Sequence, residues 1–231
     1  MEWIGPAALA TYMQADPVAG LAQGRPELAG AVLTSQRWLD ESPAKRLIFQ
    51  RLYADLLDRS GPASVLDVGG GLSALTPRLA DGRRYVLADP LHHETEAGVS
   101  AVRAASGPFE IRRSDWHDVR LNESFDVMIA NDLFPNVDQR LGPFLDWAIP
   151  LAREIRLSLT FHNLPRWYRV KRVDAEEHLT VLAADGARTV AMLAPFAGRI
   201  AGWAPELFDG AEASVFPNGR QVVLARIKGD A

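Results

Sequence analysis

Two rhythms of apolar and polar positions divide the chain. Over residues 1–60 the apolar residues recur at helical spacing: "PAALATYMQA" and "ELAGAVLTSQRWL" are rich in helix formers, and "ESPAKRLIFQRLYADLLDRSGP" carries signals for both helix ends. Ser42 is placed to cap that last helix, with Pro43 in its first turn and Gly61-Pro62 closing it. Leu47, Ile48, Leu52 and Leu56, with Phe49 and Tyr53 beside them, form one apolar stripe. No glycine-rich or polar linker follows. Residues 1–60 therefore read as a helical cap docked on a main domain of residues 61–231.

From residue 63 the rhythm changes to short apolar runs alternating with helical stretches. "ASVLDV", "RYVLAD", "FEIRRSD", "FDVMIAND" and "EIRLSLTF" read as strands, and "SALTPRLA", "HHETEAGVSAVRAA" and "VDQRLGPFLDWAIPLA" read as the helices between them. Strand and helix alternating at this spacing imply right-handed crossovers, hence a doubly wound α/β fold with a mainly parallel sheet. The nearly continuous apolar strands fit burial on both faces. After a further helix in "ARTVAMLAPFAGRI", the runs "AEASVFP" and "RQVVLARI" around Asn218-Gly219 predict a terminal antiparallel hairpin and bring the sheet to seven strands.

The composition narrows the partners. The chain has 231 residues, 48 % of them hydrophobic, and a net charge of -4. That is enough apolar material for one sizeable core, on a surface not built to neutralise phosphate backbones. No nucleic acid is expected. With no cysteine there is no disulfide, thiolate ligand or cysteine nucleophile. The first residues lack a basic segment followed by a long apolar one, and no stretch approaches the roughly 20 apolar residues of a spanning helix. The expectation is a cytoplasmic protein with no membrane contact, a monomer or homodimer.

The chemistry begins in "SVLDVGGGLSALTPRLADG", where a strand ends in Asp67 and Gly69, Gly70 and Gly71 follow at once. Such a run makes a tight strand-to-helix turn whose backbone a ligand can touch. Counted as a dinucleotide fingerprint it has Gly69 and Gly71 in place and Ala74 at the third position, so the glycines alone leave the ligand open. The acid ahead of them weighs the other way, because a carboxylate there repels a pyrophosphate and attracts a cationic amino group. The acid and alternate glycines resemble the first motif of the class I S-adenosylmethionine-dependent methyltransferases, with Ser73, able to cap the next helix, where a third glycine often stands. The resemblance runs in order over residues 40–162. It implies a ribose-binding acid at Asp89 in "YVLADP", next to Pro90, an adenine site at Asp115-Trp116 in "RRSDWHD", and a reaction cleft at Asn131-Asp132 in "FDVMIANDLF".

Methyl transfer from a sulfonium asks the protein to orient a nucleophile and, where needed, to take its proton. Candidates are His162 as base, Asp132, His93 and its neighbour His92, with Tyr12, Trp38, Trp167 and Tyr168 as substrate walls and His117 and His178 as surface residues. A metal-dependent variant would group Asp132 with His162 and Asn163 around a divalent ion, but His162 stands where that variant has an acid, and no metal is expected. "NDLF" at 131–134 also lacks the [DN]PP[YF] pattern of nucleobase amino-group methylation. The segment 164–186 interrupts the expected helix with strand-like alternation and reads as a hairpin or lid insert. Its cations Arg166, Arg169, Lys171 and Arg172 contact an anionic acceptor or pair with Asp174, Glu176 and Glu177.

The reading is therefore an S-adenosylmethionine-dependent methyltransferase acting on an oxygen or nitrogen of a small-molecule acceptor. Three alternatives stand beside it: a nicotinamide-dependent oxidoreductase, a non-catalytic methyltransferase-like subunit, and a protein or RNA methyltransferase.

Overall fold

The computed structural model describes the chain except for residues 24, 25, 29, 172–177, 211 and 212. Its order is β1 (Glu2–Trp3), α1 (Pro6–Tyr12), α2 (Pro17–Gln23), α3 (Thr34–Glu41), α4 (Pro43–Leu57), β2 (Ser64–Val68), α5 (Thr76–Ala80), β3 (Arg84–Ala88), α6 (Glu96–Ala105), β4 (Glu110–Arg112), β5 (Phe125–Ala130), α7 (Leu141–Ala148), β6 (Ala152–Phe161), β7 (Arg166–Lys171), β8 (His178–Ala183), α8 (Gly186–Leu193) and β9 (Gln221–Lys228). Seven strands form one sheet in the order β1-β9-β6-β5-β2-β3-β4. β2 to β6 run parallel, and β9 lies antiparallel to β6 along eight register pairs from Glu154↔Lys228 to Phe161↔Gln221.

The doubly wound seven-stranded sheet is as the alternation predicts, with three local departures. Residues 213–217 form no strand; the place beside β9 is taken by β1, whose Glu2 and Trp3 pair with Leu224 and Val223. The first segment thus supplies a sheet strand as well as helices. The run 109–115 pairs only over Glu110–Arg112, because Ser114 N already turns back to Arg112 O and Asp115 starts a 3-10 turn. The helix of "HHETEAGVSAVRAA" starts only at Glu96, capped by the Thr95 side chain, which leaves His92 and His93 in the preceding turn.

Alternation along the strands sends side chains to two cores. Val65, Leu87, Val127 and Ile129 meet α4, α5 and α6 on one face, while Leu66, Val86, Met128 and Ala130 meet α7 and the residues after α8 on the other. Helix α4 is the main support of the first face. Ser42 Oγ accepts from Lys45 N as the cap, and Leu47, Leu52, Tyr53 and Leu56 are buried. Buried Arg156 on β6 fastens it, donating to Asp55 at 2.7 Å and to Leu52 O at 2.9 Å. A second tie holds α4 to the earlier helices: Arg46 donates to Asp16 at 2.7 Å, and Tyr12 Oη donates to the same carboxylate at 2.7 Å. Tyr12 is thus a buried strut rather than a substrate wall. The hairpin expected within 164–186 is present as β7 and β8, paired from Arg166↔Ala183 to Lys171↔His178. Among the described residues no helix is long and apolar enough to cross a membrane.

Candidate active site

The chain winds outward from β2 to β4, then returns to place β5 on the other side of β2. At that reversal the carboxyl ends of β2 and β5 diverge, which is where open α/β sheets bind ligands. A cavity of about 840 Å³ opens there. Gly69, Gly70, Asp89, Pro90, Asp115, Trp116, Asn131, Asp132 and His93 all line it, so most of the residues picked out from the sequence converge. Asp67, Gly71, His162 and Asn163 are not among the lining residues.

Each glycine of the turn answers a local demand. Gly69 and Gly71 have φ of 68° and 64°, in the left-handed region that favours glycine. A Cβ on Gly70 would stand 2.3 Å from Asp67 Oδ1, and one on Gly71 would stand 2.0 Å from Ser35 Oγ. The turn is therefore pressed between the Asp67 carboxylate and α3. Asp67 lies buried below it, accepting from Tyr53 Oη at 3.0 Å and from Tyr85 Oη at 2.6 Å. Burial pushes its pKa up to about 7 against the pull of both hydroxyls, and no cation offsets that penalty. It supports the floor from beneath instead of facing the cavity as an amino-group partner.

The backbone of the turn bears on what can bind. Gly69 N donates to Ala88 O, Gly71 N to Asp89 Oδ2, Ser73 N to Thr76 Oγ1, Ala74 N to Gln36 Oε1, Leu75 N to Ser73 Oγ and Thr76 N to Ser73 O. Ser73 thus closes a local turn rather than capping α5, which begins later. A pyrophosphate needs a row of such N–H groups, and here those of Gly69, Gly71 and Ser73 to Thr76 are already engaged within the protein. What the turn leaves is a glycine surface beside the Asp89 carboxylate, whose Oδ1 also accepts from Leu91 N at 2.7 Å. Beyond it, Asp115 accepts from His117 N at 2.9 Å and pairs with Arg140 at 2.7 Å. Trp116 is buried, donates Nε1 to Asp138 at 2.8 Å, packs edge-on against Phe144, and still presents a surface to the cavity. It is core and wall at once. A bare glycine turn, an acid and an aromatic face thus meet along this side of the cavity.

The opposite wall is made of residues distant in sequence. Asp132, with φ of 57°, bridges Arg220 Nη1 at 2.8 Å and Lys45 Nζ at 3.2 Å. Burial would raise its pKa, but the Arg220 and Lys45 charges outweigh it and hold the carboxyl below its ordinary value. Lys45 Nζ also stands 4.8 Å from the Trp38 ring centre. Asn131 Oδ1 accepts from Ser158 Oγ at 2.8 Å, and Ser158 Oγ accepts from Asp132 N at 2.7 Å, which fixes the turn after β5. Tyr168 from β7 lines the same cavity, whereas Trp167 beside it is 67 % exposed. His93 Nε2 lies 3.4 Å from Ser35 Oγ. Lys45 and Arg220 were missed in the sequence; one sits in a helix cap, the other in a turn, and no motif marks either.

His162 is placed otherwise than expected of a base. It is 4 % exposed, its Nδ1 lies 3.3 Å from Arg166 Nη2, and its Nε2 is buried with no hydrogen-bond partner among the described residues. Burial first, then Arg166 and Arg220, push its pKa down to about 4. Asn163 is exposed beside Gly210. The trio Asp132, His162 and Asn163 therefore does not converge on an ion, and among the described residues no cluster of three or more His, Cys, Asp or Glu could hold one. Of the insert cations, Arg166 donates to Asn218 O at 3.2 Å, while Arg172, Asp174, Glu176 and Glu177 lie outside the described residues.

No family model matches the chain, and no curated protein aligns with it. Several solved structures are similar. A DhpI–SAH complex is 15% identical with a TM-score of 0.53, over 97% of this chain and 96% of that one. The N-methyltransferase NodS from Bradyrhizobium japonicum WM9 is 12% identical with a TM-score of 0.52, over 84% of this chain and 100% of that one. The 1,6-didemethyltoxoflavin-N1-methyltransferase from Burkholderia thailandensis, solved with 1,6-didemethyltoxoflavin and S-adenosylhomocysteine, is 17% identical with a TM-score of 0.51, over 100% of this chain and 93% of that one. At such identities the likeness speaks for architecture: this chain has the fold of the class I S-adenosylmethionine-dependent methyltransferases.

Proposed function

We propose that the protein is an S-adenosylmethionine-dependent methyltransferase of a small-molecule acceptor. The observation that carries this reading is the convergence of Gly69, Gly70, Asp89, Pro90, Asp115 and Trp116 on one cavity at the sheet reversal, beside a wall of different chemistry at Lys45, Asp132 and Arg220. Asp89 would take the ribose hydroxyls, Asp115 and Trp116 the adenine, and the Gly69-Gly70 backbone the remaining chain of the cofactor. S-adenosylmethionine supplies an electrophilic methyl on a sulfonium. The protein's own part is to hold the acceptor beside it and exclude water, for which Tyr168 of the β7–β8 hairpin and Trp38 of α3 are placed. A cavity of about 840 Å³ shared between cofactor and acceptor favours a small molecule over a polymer. DhpI and the toxoflavin-precursor enzyme, both bound to S-adenosylhomocysteine, are consistent with that reading.

The nicotinamide alternative is disfavoured by the engagement of the Gly69, Gly71 and Ser73 to Thr76 N–H groups within the protein. Calorimetric titration separates the two: S-adenosylmethionine or S-adenosylhomocysteine binds at micromolar concentration and NAD does not. Binding of NAD in preference to both would overturn the reading.

A further inference from the structure

The wall opposite the glycine turn carries a charge pattern that selects the acceptor, if the cavity is the methyl-transfer site proposed above. Two cations, Lys45 and Arg220, face one acid, Asp132, and each Asp132 oxygen is taken by one of them: Oδ1 by Arg220 Nη1 at 2.8 Å, Oδ2 by Lys45 Nζ at 3.2 Å. The group keeps a net positive charge. Arg220 Nε is buried and without a partner among the described residues, and the Lys45 ammonium has three donors. Further donor capacity is therefore present at this wall. The other cavity carboxylates are occupied too: Asp89 by Gly71 N and Leu91 N, Asp115 by His117 N and Arg140, Asp138 by Trp116 Nε1 and Arg140. At the charged wall itself the one acid, Asp132, is bracketed by both cations, so that wall presents cationic donors to the acceptor. Of the imidazoles nominated from the sequence, His162 does not line the cavity, whereas His93 and its neighbour His92 do, His93 Nε2 lying 3.4 Å from Ser35 Oγ.

We propose that the acceptor reacts as an oxyanion, a carboxylate or acidic phenol on an aromatic ring, with Lys45 and Arg220 holding the anionic end and Trp38 and Tyr168 flanking the ring. An ionised oxygen needs no base. Its lone pair forms the new O–C bond as the methyl C–S bond breaks and its electron pair passes to sulfur; anion and sulfonium become a neutral ester or ether and a neutral thioether. Charge is neutralised in the step and no proton is left over. An amine acceptor meets the opposite situation at this wall, since its ammonium form is repelled by both cations.

The test uses the full chain saturated with S-adenosylhomocysteine and titrated with benzoate, 4-nitrophenolate, benzyl alcohol and benzylamine by calorimetry. The expected result is that benzoate or 4-nitrophenolate binds at least tenfold more tightly than the alcohol and the amine. Lys45→Met and Arg220→Met each weaken that binding at least tenfold and Lys45→Arg retains most of it, with S-adenosylhomocysteine affinity measured on each variant as the control for folding. Equal binding of benzylamine, anion affinity unchanged in both variants, or no anion bound at millimolar concentration would overturn the proposal while leaving the methyltransferase reading in place. Failure of S-adenosylhomocysteine itself to bind would instead remove the reading on which the proposal rests. Because the ligand preference is measured on the wild type, the test does not depend on any variant folding.

Discussion

Asp67 and Asp132 stand at the ends of neighbouring strands, β2 and β5, and live in opposite surroundings. Asp67 is buried on the α4 face, accepting from the neutral hydroxyls of Tyr53 and Tyr85, and burial, helped by the nearby Asp89 charge, pushes its pKa up to about 7. Asp132, 29 % exposed at the cavity wall, is bracketed by Lys45 and Arg220 and held below its ordinary value. Burial penalises the ionised form at both sites; what differs is whether a cation is near enough to outweigh it. One acid is therefore part of the floor and the other part of a charged wall, though the same strand-end position would suggest one role for both.

The largest expected effect tests the first of these surroundings. Because Asp67 binds its proton more tightly folded than unfolded, its ordinary value being 3.8, its contribution to stability is lost as pH rises from about 4 to about 7. Urea unfolding across that range should show a loss on the order of 4 kcal/mol from this group, absent in Asp67→Asn. Equal pH slopes in the two proteins would break the contrast. Asp132, with its shift in the other direction, adds stability that disappears only as pH falls below 3.8.

A smaller effect concerns Asp89, which ends the next strand over and holds the glycine turn through Gly71 N at 3.0 Å. Asp89→Ala should weaken S-adenosylmethionine binding by about 1–3 kcal/mol, since an ionised acceptor is lost both to the ligand and to the turn. Unchanged affinity in calorimetry would detach the ribose from this residue. The smallest effect belongs to Asp132→Asn, about 1 kcal/mol in urea unfolding, because its partners are partly solvated and surface ion pairs contribute little. A cost as large as that of a buried pair would mean that the wall is a structural element, not a binding one.

The unequal legibility of these regions has a physical origin. Asp89, Asp115 and Asn131 could be read from the sequence because a strand's last residue and the turn after it are set by local patterning, and the parallel sheet then aligns those ends automatically. Gly69 and Gly71 were legible as a glycine run directly after a strand, and their positive φ is the backbone reason for it. The charged wall gave no such signal: Arg220 and Asp132 are 88 residues apart, and Lys45 lies in a helix whose apolar stripe explains every neighbour but not that side chain. His162 was misplaced as a base because a strand end says where a side chain begins, not that Arg166 from the following hairpin covers it. The sheet edge was misread for the same reason, since the pairing of Glu2–Trp3 with β9 has no local signature. Asp67 was expected to face the cofactor, but Tyr53 and Tyr85, arriving from a helix and an adjacent strand, cover it and make it a buried support.

The antiparallel pairing of β9 with β6 has a consequence for how specificity could change. Arg220 immediately precedes Gln221, whose partner in the ladder is Phe161. A strand presents successive side chains to opposite faces, so sliding β9 by one residue would withdraw the guanidinium from the cavity and bring an amide into its place. The same slip would turn buried Val222, Val223 and Leu224 to the opposite faces, so the burial that fixes the register of β9 also fixes Arg220 at the cavity wall.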